Sequence, residues 1–176
     1  MKNLTKLIIV LLFAATIANA QNNFSIGFVG TQFGNIGSGE KLTKIENPFG
    51  YGLLLGYKFD KNLSVALTNE FLKDNMKNNL GKESDFRVHA SAYLTPVKFG
   101  NFHPYLSAGF VYTNRKYDYK FLDDETKSLI NGRFGLGVDY NFFSNLSLNL
   151  DFGLYNDGLM LAGYTTSFGL RINPNF

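Results

Sequence analysis

Between residues 49 and 59 every second position is apolar: Phe49, Tyr51, Leu53, Leu55, Tyr57 and Phe59. Gly50, Gly52, Gly56 and Lys58 fall on the positions between them. Successive side chains of a strand point to opposite faces, so this spacing predicts a strand with one apolar face. The same alternation recurs in Leu63, Val65, Leu67 and Phe71, and again in Ile130, Phe134, Leu136, Val138, Tyr140 and Phe142. It continues in Leu146, Leu148, Leu150, Phe152 and Leu154. Near the C-terminus Tyr164, Thr166, Phe168, Leu170 and Ile172 share one parity, and Thr165, Ser167, Gly169 and Arg171 the other. Eight strands are predicted, near residues 23–33, 49–59, 63–72, 86–95, 104–114, 129–142, 146–155 and 161–172.

The connections differ in length in a regular way. A long polar stretch joins the first two strands, and only Asp60, Lys61 and Asn62 join the second to the third. Polar stretches at 73–85 and 115–128 flank a moderate turn at 96–103. Phe143 to Asn145 form another short turn, followed by an Asn-Asp-Gly loop at 156–158. Alternating long and short connections are expected of up-and-down antiparallel strands with the long loops gathered at one end. A faint internal repeat agrees: YKFDKNLSV at 57–65 and YNFFSNLSL at 140–148 share Tyr-x-Phe-x-x-Asn-Leu-Ser-apolar around a short turn. Both turns are therefore placed at the same end, with aromatic residues at the level of a membrane–water boundary.

The N-terminus adds the compartment. Lys2 and Lys6 precede the apolar run LIIVLLFAATIA, which ends at Ala18-Asn19-Ala20. A charged head, a short apolar middle and an A-x-A end predict a cleaved secretory signal peptide over 1–20, leaving a single domain over 21–176. No Cys follows the expected cleavage site, so a lipoprotein anchor is not expected. Removal of Lys2 and Lys6 would lower the formal charge from +3 to +1, which gives no reason to expect nucleic-acid binding. With no cysteine there is no disulfide framework and no thiolate metal site, and two histidines do not suit a His-rich centre. No cofactor is expected.

Alternation alone fits two barrels, a water-soluble one with its apolar face inward and a membrane one with its apolar face outward. Charge placement chooses between them. The charges predicted to lie within strands are Lys58, Glu70, Arg87, Arg133, Asp139, Asp151 and Arg171, all on the polar parity. That parity is otherwise rich in Gly, Ser and Ala, for example Gly50, Ser64, Ala66, Ser91, Ser107, Gly135 and Gly153. A water-facing sheet would be denser in charge. Small residues with a few charges suit the lumen of an eight-stranded barrel, which side chains just fill. The apolar parity would then meet lipid, where only closure into a barrel satisfies every strand's backbone. The expected fold class is all-β: an eight-stranded antiparallel up-and-down transmembrane β-barrel.

Together with the signal peptide and the eight segments, PYLSAGFVY at 104–112, GRFGLGVDYNF at 132–142 and the final YTTSFGLRINPNF resemble the OmpA/OmpX-type family of small outer-membrane barrels. The resemblance implies a Gram-negative outer-membrane location with both termini periplasmic, and outer-membrane lipid or lipopolysaccharide as neighbours. It also implies that the assembly machinery reads the last strand at Phe168, Leu170, Ile172 and Phe176. Pro174 departs from the apolar residue such strands carry. No peptidoglycan-binding domain follows 21–176, so the tethering role of two-domain members is not expected to carry over.

The seven lumen charges sum to +4 and −3 and are expected to pair, Glu70, Asp139 and Asp151 with Arg87, Arg133 and Arg171, blocking a continuous pore. The expected function is accordingly non-enzymatic, a structural or interaction barrel that contacts partners. One form is an accessory subunit alongside other outer-membrane proteins. The alternative is a small channel for ions or apolar solutes. A third reading is a lipid A-modifying hydrolase built on His89 and Ser91, by base-activated serine attack. Alternation turns both of those residues to the lumen, whereas such a site must face lipid. The run Asp123-Asp124-Glu125 reads as a solvated loop face, and Tyr112, Tyr117 and Tyr119 as interfacial aromatics.

Overall fold

The computed structural model describes residues 23–36, 48–76, 80–157 and 160–172, and these form eight strands. They are β1 (Phe24–Asn35), β2 (Phe49–Lys58), β3 (Leu63–Asn75), β4 (Gly81–Leu94), β5 (Phe102–Tyr119), β6 (Glu125–Phe143), β7 (Leu146–Asp157) and β8 (Met160–Ile172). Each pairs antiparallel with its neighbours in the chain. Pairing of β1 with β8, Phe28 opposite Leu170 and Ile26 opposite Ile172, closes the barrel. The segment around Phe168 is thus a closing strand. The predicted signal peptide and Phe176 lie outside the described residues.

The two parities separate as the alternation requires. Tyr51, Phe28, Phe110 and Phe134 each expose more than 60% of their surface to the outside, while Arg87 and Arg115 are 1% exposed inside. In water that would be an inverted protein, since Arg is almost never fully buried without a partner and large apolar faces are not left bare. In lipid it is the stable arrangement. Along β5 the outward side chains from Phe102 to Tyr112 are Phe102, Pro104, Leu106, Ala108, Phe110 and Tyr112. Ten residues at roughly 3.4 Å each, tilted by about 40°, cover about 26 Å, the height of an apolar membrane belt. At the short-turn end aromatic pairs ring this belt. Tyr57 meets Phe59 at 5.1 Å and Tyr140 meets Phe142 at 4.8 Å, both edge to face, so the two halves of the internal repeat build the same feature.

Strand ends depart from expectation in one direction. The hairpins β3–β4 and β5–β6 extend well past the predicted ends at 72, 86, 114 and 129, so that Glu83, Asp85 and Arg115 belong to strands and not to connections. Beyond the membrane belt the outward face no longer needs to be apolar, and it carries Lys82, Lys116 and Asp118. Alternation therefore fades while the hydrogen-bonded ladder continues. Lys116 and Asp118 meet at 2.8 Å on this exposed extension.

The short turns are tightly built. In the β2–β3 turn the Asp60 carboxylate accepts the backbone N–H of Asn62 at 2.6 Å and of Leu63 at 2.8 Å. These bonds favour the charged form and hold its pKa below the usual carboxylate value. Between β4 and β5, Phe99 and Phe102 exchange both backbone hydrogen bonds around Gly100 and Asn101. Gly100 has φ of 59°, the left-handed conformation that such a two-residue turn requires and that glycine adopts without strain.

Candidate functional site: a charged plug in the lumen

The inward side chains stack in layers along the barrel axis. At the long-connection end β4 presents Glu83, Asp85 and Arg87 on successive inward positions, and β5 presents Arg115 directly opposite Asp85. Arg87 Nη2 donates to Asp85 Oδ2 at 2.6 Å, and Arg115 Nε lies 3.1 Å from Asp85 Oδ1 and 3.4 Å from Glu83 Oε1. Arg115 also donates to the Tyr117 hydroxyl at 3.2 Å. The Arg87 guanidinium sits 4.0 Å above the Phe33 ring, and Phe33 packs with Leu72. Acidic and basic groups alternate here within an apolar rim, which compensates their desolvation.

The middle layer is centred on Glu70. Its Oε1 accepts the Thr31 hydroxyl at 2.6 Å and its Oε2 lies 2.9 Å from His89 Nε2. His89 Nδ1 in turn is 3.3 Å from the Tyr155 hydroxyl. Below this Arg133 forms an ion pair with Asp151 and donates to Ser107 at 3.0 Å. A hydrogen-bonded run continues towards the short turns. Tyr105 donates to Asp151 at 3.0 Å, Asn149 donates to Tyr105 and to Asp139 at 2.8 Å each, and Arg171 reaches Asp139 at 3.4 Å.

A void of about 30 Å³ lies among Glu70, His89, Arg133, Asp151 and Tyr155, room for about two waters. A larger cavity of about 120 Å³ occupies the short-turn mouth, lined by Lys58, Asp60, Lys98, His103, Asp139 and Arg171 among others. Glycine makes the packing possible. A Cβ at Gly153 would stand 2.6 to 2.8 Å from three atoms of the Arg133 guanidinium, so the absence of a side chain there is what lets the arginine cross the lumen. Among the described residues no three His, Asp or Glu side chains come together as a metal cage, because the lumen carboxylates face arginines or His89 instead.

Of the seven predicted lumen charges, Glu70, Arg87, Arg133, Asp139, Asp151 and Arg171 lie inside the barrel, and Lys58 stands exposed at its mouth. Arg133 meets Asp151, and Arg171 meets Asp139. The ion pair of Arg87 is made with Asp85, and Glu70 takes His89. Asp85, Glu83 and Arg115 are the residues that sequence reasoning missed, and a signal for them existed. Glu83, Asp85, Arg87, His89 and Ser91 form a polar run at a strict period of two. Tyr117 is 3% exposed and belongs to the plug, not to an interface, whereas Tyr112 faces outward. His89 and Ser91 are both buried in the lumen.

A barrel with lipid-facing aromatics and a charged interior is what comparison with known families also returns, the outer membrane protein beta-barrel domain matching residues 7–176. The chain belongs to this family. Members are small barrels of the Gram-negative outer membrane, and this barrel shares their closed eight-stranded architecture. Neisserial surface protein A superposes with a TM-score of 0.66 at 16% identity, covering 85% of this chain and 96% of that one. The N-terminal β-barrel domain of Pseudomonas aeruginosa OprF gives 0.62 at 17% identity, covering 86% and 97%. Ail of Yersinia pestis, crystallised with the heparin analogue sucrose octasulfate, gives 0.57 at 18% identity, covering 85% and 95%. At such identities these outer-membrane barrels share the fold alone. Among curated proteins no sequence matches.

Proposed function

We propose that this outer-membrane barrel is non-enzymatic and non-conducting, acting through its wall and connections on lipopolysaccharide or on other outer-membrane proteins. The observation that carries this reading is the filled lumen. Three ionic layers, Arg115 with Asp85 and Glu83, Arg133 with Asp151, and Arg171 with Asp139, cross the bore in succession, with the contact of His89 and Glu70 among them. Opening a path through them would strand buried charges without partners, a large cost in a narrow low-dielectric channel. The burial of His89 and Ser91 inside that plug, away from the lipid-facing wall, supports the non-enzymatic reading.

The start of β1 and the end of β8 lie at the rim that carries the turns at 59–62 and 144–145, as the pairing of Ile26 and Leu146 with Ile172 supports. On this reading that rim is periplasmic, the long connections are external, and the assembly machinery engages the closing strand at Phe168, Leu170 and Ile172. Single-channel recording of the purified barrel in planar bilayers tests the plug. Silence or rare brief events are expected, and large stable conductances would replace this reading with the channel.

A further inference from the structure

Arg87, Arg115, Arg133 and Arg171 each meet a carboxylate inside the barrel, but the lysines at its short-turn mouth do not. Lys58 at the end of β2, Lys61 in the turn that follows and Lys98 between β4 and β5 all line the recess of about 120 Å³ there. None of the three forms an ion pair among the described residues. The two carboxylates that line the same recess are engaged elsewhere. Asp60 accepts two backbone N–H groups of its own turn, and Asp139 takes Asn149 at 2.8 Å and Arg171 at 3.4 Å. Arg171 Nε and Nη2 have no hydrogen-bond partner among the described residues. Lys58, Lys61, Lys98 and Arg171 thus outweigh Asp60 and Asp139 by two positive charges, with the His103 ring beside them. Backbone hydrogen bonds fix the rim that carries the lysines. The Lys58 N–H donates to the Asn23 carbonyl, and the Thr95 N–H to the Asn62 carbonyl, each at 2.7 Å. Partial burial and the charges of Lys58 and Lys61 together hold the Lys98 ammonium below the ordinary lysine value, as befits amines that share one recess.

A concave polar recess with an excess of one charge sign focuses its field and concentrates the opposite ion. Lysines act there as point charges, which suit the several oxygens of a phosphate. Hydroxyl donors are also present. Ser25 and Ser147 are buried on the wall of the recess and form no hydrogen bond among the described residues. Size agrees as well, since at roughly 10–15 Å³ for each water the recess takes the five heavy atoms of a tetrahedral oxyanion with solvent to spare. Lys58 lies on the inward parity, away from the lipid-facing wall, so an occupant arrives from water on the short-turn side. We propose that the short-turn mouth is a binding site for a small tetrahedral oxyanion of the phosphate class, held by Lys58, Lys61 and Lys98 with the Ser25 and Ser147 hydroxyls at its wall. The site does not depend on which side of the membrane this mouth faces.

Amide NMR of the folded barrel in zwitterionic detergent tests the proposal, with inorganic phosphate as the probe and ionic strength held constant by sodium chloride. Saturable one-site shifts of the Asn62 and Thr95 amides are expected, while the Lys82 amide at the opposite end stays still. Loss of one charged hydrogen bond corresponds to about ten-fold in affinity, so Lys58→Gln and Lys98→Gln should each weaken binding by about that factor. Lys82→Gln, on the exposed extension of β4, should leave it unchanged, and heat-modifiable migration checks that every variant is folded. Shifts that rise linearly without saturating, or that fall equally with Lys82→Gln, would reduce the effect to general screening and overturn the site. A second arm compares nanodiscs of phosphatidylcholine with nanodiscs containing phosphatidylglycerol, both free of phosphate, and the Asn62 and Thr95 amides should not differ between them. Should they move with phosphatidylglycerol and ignore inorganic phosphate, the lysines serve a lipid headgroup and the proposal fails.

Discussion

The ion pair of Arg133 with Asp151 offers the sharpest perturbation of the plug. Both side chains are about 5% exposed, and each has a further partner: Arg133 donates to Ser107 and Asp151 accepts from Tyr105. Asp151→Asn keeps the shape and the Tyr105 contact but leaves the guanidinium uncompensated against Gly153. Removing one partner of a buried pair costs about 3–5 kcal/mol, and the same is expected of Arg133→Met. Two independent losses would amount to about 6–10 kcal/mol. The double variant leaves no unpaired charge, so its cost should fall to no more than about that of either single change, a coupling of at least 3 kcal/mol. Urea unfolding of the detergent-folded barrel, followed by tyrosine fluorescence and by heat-modifiable migration, measures all four corners of the cycle. If Asp151→Asn costs less than about 1 kcal/mol, or if the single losses add, the pair is not a desolvated plug element and the closed-lumen argument loses its basis.

Three further outcomes are expected. Gly153→Ala should lower stability by about 1–3 kcal/mol, because its Cβ meets the Arg133 guanidinium. A wild-type urea midpoint for that variant would show that the arginine has room to move. Leu136→Arg, on the lipid face where Leu136 pairs with Leu106 and Phe152, should cost about 2–4 kcal/mol in a reconstituted bilayer. No loss there would contradict the outward assignment of this parity. The Asp60 carboxyl should titrate below its ordinary value of 3.8 by carbon-detected NMR. Because the folded pKa is the lower one, any stabilisation from this turn is complete above the unfolded value and is lost as pH falls through the folded one. A midpoint at or above 3.8 would mean that the two N–H bonds do not form in solution.

Period-two patterning sufficed for the eight strands, the outward face and the lumen parity, because alternation is a local property that each strand carries alone. Six of the seven predicted lumen charges sit inside for the same reason. Lys58 does not, since it ends β2 at the mouth. The sheet's extent was less legible. Past the membrane the apolar requirement lapses, so the ladder through Glu83 and Arg115 has no hydrophobic signature.

Partner choice inside the lumen was decided by tertiary structure. Glu70 and Arg87 are cross-strand neighbours, the natural guess from topology, yet Glu70 turns to Thr31, 39 residues earlier in the chain, and to His89. Arg87 turns to Asp85 and stacks on Phe33. Curling the sheet brings strands from opposite walls within reach, as in the contact of His89 with Tyr155, 66 residues apart. The sequence by itself determined which side chains enter the barrel. Closure determined which of them meet, because side chains that point into a narrow bore find partners by height and distance across it, and neither is written in the alternation of a single strand.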